Sequence, residues 1–123
     1  MEETRRFEPE LGSARAARNF VNGVLARFDG SLDEETLANV ALLTSELASN
    51  AMMHSRSDFD VTVKLADGHV RVEVKDPNPR VPQPCMVPVD STSGRGLHLV
   101  DLLASSWGVE RLVGGKAVWF EMT

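Results

Sequence analysis

Two runs of alternating apolar residues constrain this chain more than any other feature. Phe59, Val61, Val63 and Leu65 alternate with polar residues, and Val70, Val72 and Val74 do the same. Between them sits Asp67-Gly68, a tight-turn dipeptide suited to a hairpin. The segment predicts two antiparallel strands that share one apolar face. Such a face must be buried against another layer.

Helices upstream supply that layer. Ala17, Phe20, Val21, Val24, Leu25 and Phe28 recur at helical spacing, which predicts an amphipathic helix over 13–28. Ser31 and Glu34 have capping-box spacing and open a second helix, with Asp33, Glu34 and Glu35 at its positive end. Leu37, Val40, Ala41, Leu47, Ala48 and Ala51 form its buried stripe, and the helix is expected to end near His54. Residues 4–8 read as a short first strand.

Downstream of the hairpin, residues 77–93 hold five prolines and no period, the pattern of a long lid-like loop. A short helix is expected from about Gly96 to Ala104, then strands at 107–113 and 117–122 joined at Gly114-Gly115. Trp107 and Trp119 are expected in the core, and Met52 and Met53 in the core or a dimer contact. The fold class is α+β: a two-layer sandwich, with helices on one face of a mostly antiparallel mixed sheet, in a single domain over 1–123.

Composition excludes several functions. The formal net charge is −5 and the basic residues are scattered, which disfavours direct nucleic-acid binding. No run approaches the roughly 20 apolar residues of a membrane span, and the N-terminus lacks a signal-peptide stretch. A cytoplasmic protein is expected. The one cysteine, Cys85, cannot form an internal disulfide, and no grouping has zinc-site spacing.

Glu46 and Asn50 lie four apart on the second helix and so point the same way, with His54 a turn further on. This row reads either as a solvated polar face or as a metal–phosphate site. In the second case the Asn50 amide oxygen is a hard ligand for Mg²⁺, and Glu46 is a general base. Asp76 ends a strand, where its carboxylate either accepts from a group such as the adenine amine or merely starts a turn with Pro77. Gly94-Arg95-Gly96-Leu97 precedes a helix. Its glycines let backbone approach an anion and Arg95 adds a phosphate contact, unless the stretch is an ordinary loop-to-helix junction.

The order of these motifs resembles the GHKL ATPase superfamily. Ser45-Glu46-Leu47-Ala48-Ser49-Asn50-Ala51 with His54 is similar to its asparagine box. Val74-Lys75-Asp76 matches the strand ending in its adenine-reading aspartate, and Gly94-Arg95-Gly96-Leu97 matches its second glycine box. Gly115-Lys116-Ala117-Val118-Trp119-Phe120 looks like its closing strand. The length resembles that of the stand-alone serine-kinase anti-sigma factors, the RsbW-like group. The resemblance implies a Bergerat-type sandwich that binds ATP and Mg²⁺, with Asn50 on the metal and Asp76 on adenine. His54, Asn78, Gly94, Arg95, Gly96 and Leu97 complete the nucleotide site.

Glu46 then matches the general base that deprotonates a serine on a STAS-type anti-anti-sigma partner. A sigma factor is the second implied partner, and a homodimer is a further expectation. Two departures stand out. The first glycine box, Asp-x-Gly-x-Gly in the family, reads Asp76-Pro77-Asn78-Pro79-Arg80, and Ala117 replaces a small hydroxyl residue. They motivate an alternative, a degenerate ATP-binding fold that regulates by protein binding with little or no catalysis.

Overall fold

The computed structural model describes residues 1–28, 32–78 and 92–123, and for 92–97 the backbone alone. Ser31 and most of the proline-rich loop, including Cys85, lie outside the described residues. Strand β1 (Glu2–Phe7) leads into helices α1 (Ser13–Phe28) and α2 (Glu34–Ser55). Strands β2 (Phe59–Ala66) and β3 (His69–Asp76) follow, then helix α3 (Thr92–Leu103) and strands β4 (Ser106–Leu112) and β5 (Gly115–Met122).

The strands form one sheet in the order β1-β2-β3-β5-β4. All four pairings are antiparallel, so the sheet expected to be mixed is uniform among the described residues. The β2–β3 turn falls at Asp67-Gly68, with φ of 51° and 78°. Positive φ at both central positions matches the twist of the flanking strands. It sets a register in which Val61, Val63 and Leu65 oppose Val74, Val72 and Val70. The next pairing places Val118, Phe120 and Met122 opposite the same three β3 valines. A slip of one residue would turn every one of these side chains toward water.

Helices cover this apolar face. α1 buries Ala17, Phe20, Val21, Val24 and Leu25, and α2 buries Val40, Leu43, Leu47, Ala48 and Ala51. Each large side chain so buried contributes about 1.5–3 kcal/mol. Phe7 joins the two layers, with ring centroids 5.7 Å from Phe59 and 6.1 Å from Phe20. α2 is the central helix and packs on α1, on α3 and on the sheet.

Several expectations need correction. α2 is capped by Asp33, whose carboxylate accepts from the Thr36 amide at 2.7 Å. Its stripe includes Leu43, which the sequence reading passed over. Phe28, expected on the α1 stripe, is exposed in the helix's last turn. Of the two methionines, Met52 packs against the core, while Met53 is exposed and so is not a core residue. Trp107 is half-buried against the core, but Trp119 lies on the opposite face of the sheet, 4.0 Å beneath the Arg71 guanidinium. Gly108 makes room there, since a Cβ at that position would sit 2.8 Å from the Trp119 ring. Among the described residues no helix is long and apolar enough to cross a membrane.

Candidate functional site

α2 carries the first part of the site. Its packing between the sheet, α1 and α3 holds the row of Glu46, Asn50 and His54 on a fixed backbone. Exposure differs along the row: Glu46 is half-buried, Asn50 is 8% exposed, and His54 is exposed. The Asn50 Nδ2 is buried and has no hydrogen-bond partner among the described residues. Leaving such a donor unsatisfied costs roughly 1–3 kcal/mol. Thr44 Oγ1 and Ser55 Oγ share this condition, but Asn50 is the one in line with Glu46. A buried amide on that line suits a site completed by a ligand.

No group of three His, Cys, Asp or Glu side chains able to hold a metal occurs among the described residues. A cation at Asn50 would therefore take most of its oxygen ligands from elsewhere. Mg²⁺ does this when it binds together with phosphates. The chemistry of Glu46 and Asn50 fits that arrangement.

The second part of the site lies at the end of the sheet. Asp76 closes β3 on the inward face, directly opposite Lys116 of β5. Lys116 Nζ donates to Asp76 Oδ1 at 3.1 Å and to the Asn78 carbonyl at 2.9 Å. The Asn78 amide also donates to Asp76 Oδ1, at 2.8 Å, closing an Asx-turn. Asn78 Nδ2 reaches back to the His54 carbonyl at 2.8 Å. Asn78 thus ties the end of β3 to the last turn of α2. His54 enters this network through its backbone.

Gly115 is what allows the close approach. A Cβ there would stand 2.2 Å from the Asp76 carbonyl oxygen and 2.8 Å from Pro77 Cα. Any side chain at this position would push β5 away from β3 and separate Lys116 from Asp76. From sequence, Gly115 belongs to a turn and Lys116 to the closing strand. A legible signal existed: Lys116 keeps the period-two phase of Val118 and Phe120, so a cation falls on the apolar face.

The third part is the backbone of α3. This helix starts at Thr92, so Gly94, Arg95, Gly96 and Leu97 lie within its first turns rather than before it. Each glycine costs a helix about 1 kcal/mol, a preference that tertiary packing overrides. α3 packs against α2, which brings the glycine motif onto the helix beside the one bearing Glu46 and Asn50.

A cavity of about 350 Å³ opens at the same end of the sheet, with Asp60, Lys75, Asp76, Pro77 and Gly115 in its wall. It shares only Asp76 with the predicted residues, and neither Glu46 nor Asn50 lines it.

Comparison with known proteins gives this arrangement its context. Residues 7–122 match the family model described as the histidine kinase-like ATPase domain. An uncharacterized protein of Streptomyces coelicolor is 40% identical over 79 residues, which is 60% of this chain and 75% of that protein. Among solved structures, the RsbU and RsbW domains of Rv1364c from Mycobacterium tuberculosis are similar with a TM-score of 0.73 at 22% identity. That match covers 99% of this chain but only 32% of the other. The histidine kinase domain of a blue-light activated kinase from Erythrobacter litoralis is similar with a TM-score of 0.57 at 23% identity, covering 89% of this chain and 60% of that one. The match spans nearly every element described above, and the chain belongs to the histidine kinase-like ATPase domain family.

Proposed function

We propose that this chain is an ATP-binding regulator that acts as an anti-sigma factor with protein serine kinase activity. The observation that carries the reading is the buried Asn50 amide, in line with Glu46 on the central helix of a domain of this family, its nitrogen without a partner among the described residues. The likeness in fold to a structure containing an RsbW domain supports the choice of branch.

Bound Mg²⁺-ATP would supply the phosphoryl group for a serine oxygen and leave as ADP. The chain's own residues do the rest. Asn50 would hold the metal through its amide oxygen. Glu46, one turn away and half-buried, takes the proton from an incoming serine hydroxyl on a STAS-type partner. Asp76 receives the base, and Asn78, with Gly94 to Leu97 on α3, lines the nucleotide. Phosphorylation weakens the complex with that partner and frees this chain to hold a sigma factor.

The test is a titration calorimetry and phosphoserine assay on the full chain. Glu46→Ala is expected to keep Mg²⁺-ATP binding and lose phosphoryl transfer, and Asn50→Ala to lose both. Absence of phosphoserine on the cognate STAS protein would defeat the kinase reading. A second reading has a specific observation behind it. Asp76 is already engaged by Lys116, as expected for a scaffold that binds proteins with little or no use of ATP.

A further inference from the structure

We infer that Lys116 is an internal competitor for the nucleobase, and that it sets the affinity of the chain for nucleotide. The inference rests on the reading of Asp76 as the base-binding carboxylate. Register alone puts the lysine there, since Asp76 and Lys116 are Cα partners across β3 and β5. Both point to the inward face, and the Gly115 backbone brings the strands close enough for contact. The two side chains are 2% and 4% exposed.

Asp76 Oδ1 already accepts from the Lys116 ammonium and from the Asn78 amide. A base amine reaching this carboxylate meets an acceptor whose charge is already paired and whose Oδ1 already accepts two hydrogen bonds. An exocyclic amine is a neutral donor, and the ammonium is a charged one. Charge-assisted hydrogen bonds are about twice as strong as neutral ones. Nucleotide must therefore share or displace a stronger ligand supplied by the chain itself. The lysine also bridges to the Asn78 carbonyl, so displacing it opens the turn that follows Asp76.

Lys116→Met keeps the length and apolar stem of the side chain while removing the charge and both hydrogen bonds. Titration calorimetry of wild type and variant with Mg²⁺-ATP is expected to show tighter binding by the variant, by about 10- to 100-fold, the worth of one hydrogen bond to a charged group. The variant without nucleotide is expected to melt lower than wild type, because its carboxylate is buried unpaired. Mg²⁺-ATP should then raise its melting temperature by more than it raises that of wild type. Lys116→Gln, which retains a neutral donor, guards against a variant that does not fold and should fall between the two.

Equal affinity in wild type and folded variants would overturn the inference while leaving nucleotide binding intact. Weaker binding by the variants would also overturn it, by making Lys116 a ligand of the base. No binding by any of the folded proteins would defeat the nucleotide reading itself, and the inference with it.

Discussion

The sheet holds lysine–carboxylate contacts of similar length in opposite surroundings. On the outer face Lys64 Nζ stands 3.3 Å from Glu73, with side chains 42% and 17% exposed. At the end of the inner face Lys116 Nζ stands 3.1 Å from Asp76, with 4% and 2%. The outer pair belongs to a ladder. Arg71 bonds Glu73 at 2.8 Å and Glu121 at 3.2 Å and covers the Trp119 ring. Water can replace any member of that ladder at small cost, and exposed pairs are worth about 0–1 kcal/mol. The inner pair has no such substitute. Removing one member there strands the other in a desolvated place. Similar geometry thus decorates the fold on one face and constrains it on the other.

Three measurements would break or sharpen this contrast. The largest effect is expected from Asp76→Ala, which leaves the Lys116 ammonium buried with the neutral Asn78 carbonyl in place of a counter-charge. Chemical denaturation should show a loss of about 3–5 kcal/mol. A loss under about 1 kcal/mol would mean that the inner pair behaves like the outer one. Next, a double-mutant cycle on Arg71→Ala and Glu73→Ala should give a coupling of about 0.2–1 kcal/mol that shrinks in high salt. A larger, salt-insensitive coupling would erase the difference from the other side.

The smallest effect is the acid response of the ladder. Burial raises the Glu73 carboxyl, but Arg71 and Lys64 outweigh it and hold the group below the ordinary value of 4.5. The bond from Ser106, and then Arg71, does the same for Glu121. A carboxyl depressed in the folded state contributes stability in full above its ordinary value. That contribution is lost as the pH falls through the folded value. A stability–pH curve should therefore decline below 4.5, and Glu73→Gln should flatten the decline. The effect is small because a protonated carboxyl still accepts hydrogen bonds.

Much of the fold is written in periodicity. The β2–β3 hairpin and the limits of α1 follow directly from the spacing of apolar residues and from Asp67-Gly68. Helix starts were harder. Ser31 and Asp33 are both good caps, and only the observed bond to Thr36 selects Asp33. Glycines at 94 and 96 read as loop from sequence, whereas the helix begins at Thr92. Phe28 has the phase of the stripe but sits in the last turn and is exposed.

For the candidate site, the α2 residues were legible because four-residue spacing on a helix has one geometric meaning. Lys116 as a partner of Asp76 was not. Which strands pair, and in what register, is a nonlocal matter, and β5 meets β3 with an entire helix and strand between them. The outward placement of Trp119 was hidden for another reason: a large aromatic is core by composition, and only its phase opposite Val118 and Phe120 says otherwise.

That pairing of β3 with β5 also bears on how the chain folds. The hairpin needs only a two-residue turn to close, while the contact of Lys116 with Asp76 joins groups 40 positions apart. Ordering entropy must be spent on the intervening chain before so distant a contact rewards it. On entropic grounds the hairpin is expected to close before the floor beneath Asp76, and β1, whose partners on β2 lie more than 50 positions away, is expected later still. A refolding experiment that follows Trp119, which is seated on the β5 strand, would time the docking of β5 on β3.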